Sequence, residues 1–181
     1  MAEYYTVQPG DSLWKIAVKY QVGISELIAA NPQITNPNLI HPNQRITIPQ
    51  RNTQADAYEK QVVDLVNAER TKRGLRPLSV NWELARVARY KSEDMDKNRY
   101  FSHQSPTYGS PFEMMRNFGI RFTAAAENIA TGQPTPQSVV NAWMNSPGHR
   151  ENILNSTFTQ TGVGYSNSRG TPYWTQMFIR P

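Results

Sequence analysis

The chain has 181 residues, no cysteine, and 19 Lys and Arg against 14 Asp and Glu, a formal charge of +5. That length admits two domains, and the missing thiols exclude a disulfide framework. No apolar run approaches the about 18 residues of a membrane span, and the basic residues are interleaved with acidic ones without a nucleic-acid motif, so neither a transmembrane segment nor a nucleic-acid partner is expected. The charge is uneven along the chain. In residues 1–49, Lys15, Lys19 and Arg45 are matched by Glu3, Asp11 and Glu26, so the +5 lies in the remainder. A mixed, solvated surface is the expected meaning there; salt-sensitive attraction to anionic wall polymers or to membrane lipid is the alternative.

Tyr4-Tyr5-Thr6-Val7 reads as a strand, and Gly10-Asp11-Ser12-Leu13-Trp14 follows it. Asp11 or Ser12 can cap a helix whose apolar positions Leu13, Ile16, Ala17 and Tyr20 recur at helical spacing. A second helix is predicted from Ser25, carrying Leu27, Ile28 and Ala30 and stopping at Asn31 because a residue before proline avoids the helical region. Arg45-Ile46-Thr47-Ile48-Pro49 closes the segment as a strand, giving the order βααβ. With Asn31-Pro32, this pattern resembles a LysM domain over the stretch 3–49. The resemblance implies binding of N-acetylglucosamine chains, as in peptidoglycan or chitin, at loops formed by Gly10, Asp11, Ser12, Leu13, Asn31, Pro32 and Ile34. The plain alternative gives Gly10 to a turn, Asp11 and Ser12 to capping, and Leu13 and Trp14 to the core; Trp14 is placed in the core.

Residues 50–56 are polar and aperiodic and read as a linker, with a second domain over 57–181. A helix is predicted from Ala57 to Arg73, stopped by Gly74, and another capped by Asn81 with Leu84, Ala85, Ala88, Ser92 and Met95 on one face. Ser110-Pro111 opens a third helix ending at Gly119, and Thr135-Pro136 a fourth that must end before Pro147. Thr161 to Tyr165 and Tyr173 to Phe178 flank a turn-rich segment and read as an antiparallel hairpin. The fold class is α+β, with helices around a small sheet.

Four pieces in order carry a second resemblance: Tyr100-Phe101-Ser102-His103; Ala126-Glu127-Asn128-Ile129-Ala130; Trp143 to Arg150 with Asn152-Ile153-Leu154; and Gly162-Val163-Gly164 with Tyr173-Trp174-Thr175-Gln176. Together they resemble a bacterial-type CAP (SCP-like) domain, the superfamily of plant pathogenesis-related and cysteine-rich secretory proteins. That resemblance implies an α-β-α sandwich, so the whole is expected to be a small βααβ LysM module plus a CAP sandwich. Eukaryotic relatives carry two His and two Glu in a cleft that sometimes holds a divalent metal. His103 and Glu127 match the first two; Ser146 stands where the second Glu is expected, and His149 lies in a Ser-Pro-Gly-His piece of bacterial relatives.

The three histidines of the chain are His41, His103 and His149, and His41, in a loop before Pro42, is assigned to the surface. His103, Glu127 and His149 are expected in non-helical stretches, so only tertiary folding could join them. Converged, they suit an acid and base pair about a bound water, or weak zinc through His103 and His149; apart, each braces a loop. No metal is expected to be required. Asn128 and Arg150 are read as structural, and no Gly-x-Ser-x-Gly elbow supports Ser102, Ser105 or Ser146 as a nucleophile.

Three function classes follow. The first is a wall or spore-envelope protein that binds peptidoglycan through LysM, with a wall or lipid ligand for the CAP domain. The second is a hydrolase of wall material using the CAP cleft, and the third a structural spore-coat component. Whether the cleft is catalytic is left open. No signal-peptide pattern precedes the first strand, so either a leader is absent from this sequence or the protein is deposited where it is made, as around a spore.

Overall fold

The computed structural model describes residues 3–181 and divides into two compact units, the first ending at Asn52 and the second running from Thr53 to Pro181. In the first, strand β1 (Glu3–Thr6) pairs antiparallel with β2 (Arg45–Ile48), and α1 (Leu13–Tyr20) and α2 (Ile24–Ala29) lie between them in sequence. The Ser12 hydroxyl accepts from the Lys15 amide and starts α1, as the capping pattern requires. Leu13, Ile16 and Ala17 turn inward and join Val7, Val22, Leu27, Ile34, Ile46 and Ile48 in one small core. Trp14 departs from the expectation: it is 65% exposed. With positions 13, 16, 17 and 20 facing in, position 14 must face out, and the helical period outweighs the hydrophobicity of the indole.

The second unit holds a four-stranded sheet in the order β3-β5-β6-β4. Its elements in sequence are α3 (Thr53–Thr71), β3 (Ser79–Val80), α4 (Trp82–Asn98), α5 (Pro111–Asn117), β4 (Ala124–Thr131), α6 (Pro136–Met144), α7 (Pro147–Leu154), β5 (Gln160–Ser166) and β6 (Tyr173–Arg180). β5 and β6 form the expected antiparallel hairpin, β4 pairs with the other side of β6, and β3 adds a short parallel edge to β5. Alternation along β6 builds a core on each face of the sheet. Trp174 and Phe178 pack with Val62 and Val66 of α3 and with Val139, Val140 and Trp143 of α6, whereas Met177 and Ile179 pack with Leu84, Val87 and Ala88 of α4. The result is the α-β-α sandwich.

Gly162 and Gly164 of β5 have a packing reason. A Cβ at either would run into the backbone of α4 at Ala85 or Ala88, so glycine lets the helix lie directly on the sheet. Helix α4 is thereby held close to the strands that carry the site.

Three expectations need correction. The segment 50–56 is not all linker, because α3 begins at Thr53 and the Ala55 side chain is already part of the core. β4 is a full strand where no strand was predicted; its register with β6, from Ala124 opposite Arg180 to Thr131 opposite Tyr173, holds an alanine-rich segment in an extended form it would not choose alone. Pro147 not only ends α6 but opens α7, since proline fits the first helical turn, where no amide hydrogen is needed. His149 is therefore helical.

Candidate functional site

In the first unit the marked residues separate into surface and interior. Gly10, at φ +87°, makes the turn out of the segment after β1, and its carbonyl accepts from Lys15 Nζ at 2.7 Å. Asp11 Oδ2 accepts from the Gln8 amide at 2.8 Å and from the Tyr5 hydroxyl at 2.7 Å, and these bonds hold its carboxyl below the usual range. The loop is thus internally braced before any ligand arrives. Pro32 is also exposed.

Leu13, Asn31 and Ile34 are otherwise. Leu13 is 2% and Ile34 8% exposed, both in the core, so neither side chain lies free for a sugar face. Asn31 is fully buried: its Nδ2 donates to the carbonyls of Leu27 and Thr47, both at 2.8 Å, and its Oδ1 accepts from the Thr47 amide at 2.8 Å. It ties the end of α2 to β2. The side chains of these three sequence-marked candidates are structural, because a unit of this size must spend most of its apolar and bonding groups on its own core.

In the second unit the structure brings His103, Glu127 and His149 to the lining of one open cleft of about 870 Å³, with Phe101, Phe112 and Asn152. His41 remains exposed in the first unit. Glu127 comes from β4, with its side chain only 1% exposed, and its Oε1 lies 2.7 Å from His103 Nδ1. The carboxylate fixes the ring and leaves Nε2 as the nitrogen open to other partners. His103 itself is 55% exposed in its side chain.

The loop that carries His103 is tied to α4. Asp94 accepts from Ser105 Oγ at 2.7 Å, from Thr107 Oγ1 at 2.6 Å and from the Tyr100 hydroxyl. Burial raises the Asp94 carboxyl, but the bonds from Thr107, Tyr100, Ser105 and Asn98 outweigh it and hold it below the usual range. The Tyr100 phenol is pushed up by burial and then by its bond to Asp94. Ser105 is thus committed to structure rather than to attack.

Lys91 lies beneath this loop. It is fully buried, its Nζ donates to the His103 carbonyl at 2.8 Å, and it sits 5.3 Å from the centre of the Tyr100 ring. Burial holds its pKa below the usual lysine value, and the charges of Glu127 and Asp94 offset this only in part. Sequence reading missed Lys91, although the signal was present: with Leu84, Ala88 and Met95 facing in, position 91 falls on the same helical face, and a lysine there needs a buried partner.

His149 stands on the first turn of α7, whose place is set by side chains of β4 and α3. Asn128, fully buried, donates to the His149 carbonyl at 3.1 Å and accepts from Asn152 Nδ2 at 2.9 Å. Arg70 donates to the carbonyls of Ile153 and Asn155 and so clamps the other end of the helix. Burial, then the neighbouring His103, lowers the pKa of the His149 ring. Its Nδ1 and Glu127 Oε2 are buried without a protein partner. Ser146 caps α7 by position and does not line the cleft.

Among the described residues no set of three His, Cys, Asp or Glu side chains is disposed to hold a metal ion. His103 Nδ1 is engaged by Glu127, which leaves His103 Nε2 and the His149 ring as the imidazole nitrogens offered to the cleft, and Ser146 supplies no second carboxylate beside them. What the cleft holds is a carboxylate-oriented imidazole, a second imidazole inclined to be neutral, and apolar walls.

The comparisons agree with this architecture. The profile of the cysteine-rich secretory protein (CAP) family matches residues 63–178, and that of the LysM domain matches residues 5–49. The chain belongs to the CAP family and carries an N-terminal LysM domain, though it has none of the cysteines of the family's name. It is 59% identical over 127 residues to the uncharacterized protein YkwD of Bacillus subtilis, covering 70% of this chain and 49% of that one. An extracellular SCP-domain protein of Bacillus anthracis is similar in structure, with a TM-score of 0.67 and 34% identity over 77% of this chain and 47% of the other. SpoIVD-associated factor A of Bacillus subtilis is 51% identical over 45 residues, 25% of this chain and 12% of that protein. The chain therefore spans about half, or less, of the length of these relatives.

Proposed function

We propose that this protein is held at a bacterial cell wall or spore envelope by its LysM domain, which binds the N-acetylglucosamine strands of peptidoglycan, and that its CAP cleft serves there as a second binding site. The observation that carries this reading is the LysM match over 5–49 together with a Gly10 to Ser12 loop braced by its own hydrogen bonds and left at the surface. A braced loop loses little freedom on binding, which favours recognition by backbone groups. The extracellular description of the Bacillus anthracis relative supports an address outside the cell, and the spore-related name of the LysM relative, SpoIVD-associated factor A, supports a link to the spore.

A second reading, hydrolysis of wall material, draws on one observation. The Glu127 carboxylate orients the His103 ring at 2.7 Å in a solvent-reached cleft, an arrangement able to move a proton. Incubation of the full chain with purified insoluble peptidoglycan separates the two readings. Binding expects the protein in the pellet and no new soluble sugar or peptide; release of fragments, lost in His103→Ala, would establish hydrolysis instead. Protein left wholly in the supernatant, with no fragment released, would count against both.

A further inference from the structure

We propose that the CAP cleft is itself a glycan site, taking an uncharged N-acetylated pyranose segment; this rests on the reading that the protein acts on an N-acetylglucosamine polymer. Two buried polar atoms point to a ligand. Glu127 Oε2 and His149 Nδ1 both lack a protein partner, and the Glu127 side chain, 1% exposed, belongs with His149 to the lining of the cleft. A buried acceptor left unpaired is costly, and a hydroxyl or acetamido N–H from a ligand relieves that cost.

The walls define the other half of the ligand. Phe101 is 51% and Phe112 40% exposed, and both line the cleft with Pro111, Ala125 and Ala126. A pyranose presents C–H groups on its faces and hydroxyls on its edges, which matches aromatic walls above a polar floor. The volume, about 870 Å³, falls within the roughly 300–1,000 Å³ of small-molecule sites.

Charge selects within that class. Glu127 and the fully buried Lys91 both bind His103, the carboxylate at its ring and the Lys91 Nζ at its carbonyl, so charges of both signs flank the floor and it is not a strong trap for either. An anionic lipid headgroup or a free stem peptide would bring carboxylate or phosphate toward Glu127 without a solvent-facing cation on the floor to receive it. A neutral acetamido sugar meets no such repulsion.

The test is an NMR titration of the full chain with the N-acetylglucosamine tetramer, following the ring signals of His103 and His149 and the backbone amides of Gly10 and Asp11 in one sample. Saturable movement of the histidine signals is expected. Phe112→Ala, or Phe101→Ala if the first fails to fold, should weaken that response about three- to tenfold and leave Gly10 and Asp11 unaffected. Stationary histidine signals beside moving Gly10 and Asp11 overturn the cleft proposal and leave the LysM reading intact. Moving histidines beside stationary Gly10 and Asp11 uphold the cleft and sink the LysM reading. A parallel titration with a D-alanine-terminated stem peptide overturns the glycan assignment if it moves the histidines and the tetramer does not.

Discussion

The two units use their marked residues in opposite ways. In the LysM unit, Leu13, Asn31 and Ile34 sit inside and hold the module together, leaving Gly10, Asp11, Ser12 and Pro32 for the surface. In the CAP unit, His103, Glu127 and His149 meet at one cleft, while Lys91, Asn128 and Arg70 hold them there from the interior. The difference is one of size. A small module has few side chains to spare, so a motif residue is most often part of its core; a larger sandwich can bury an ammonium and an amide solely to place others.

The contrast can be broken at its strongest point with Leu13→Ala. As a core residue, Leu13 should cost the LysM unit about 2–5 kcal/mol, seen as early loss of its amide signals in denaturant while those of the CAP unit persist. Full stability with weakened glycan binding would return Leu13 to the sugar face. Next in size, Lys91→Met should lower CAP stability by about 1.5–3 kcal/mol, since it strips the His103 carbonyl of its charged partner, and should broaden the His103 ring signal. An unchanged ring signal would mean that the loop does not depend on Lys91.

How much of this was legible follows from the same contrast. The caps at Ser12, Asn81, Ser110 and Thr135, and the β5–β6 hairpin, rest on local patterns and were readable in the chain. β4 was not, because Ala124-Ala125-Ala126 has little strand preference and is extended by pairing with β6. Helix α7 was hidden because the proline that ends one helix also starts the next. For the site, the residue types at 103, 127 and 149 were visible, but their meeting depends on long-range bonds such as Asn128 to His149. Trp14 and Lys91 were legible from helical period alone, and were passed over because residue type was weighed above position.

A smaller effect concerns pH. The His149 ring has a lowered pKa in the folded chain, so the unfolded chain takes up its proton first as the pH drops below the ordinary histidine value of 6.5. Its contribution is therefore full above pH 6.5 and declines as the pH falls through the folded value. The urea midpoint should fall over that window, and His149→Asn should flatten the fall; an equal slope in the variant would assign it to another group. The smallest effect is expected for Trp14→Ala, within about 0.5 kcal/mol of the parent by the same denaturation, as for other exposed positions. A loss of several kcal/mol would place the indole in a core after all.

Attachment through the LysM loops is the central claim, and displacement tests it most directly. The full chain, bound to insoluble peptidoglycan at near-physiological salt, is washed with the soluble N-acetylglucosamine tetramer or with raised salt. The account predicts release by the tetramer and little effect of salt, because the first 49 residues carry no net charge. Retention unmoved by the tetramer but lost in salt would contradict it, and would assign attachment to the +5 charge of the second unit instead.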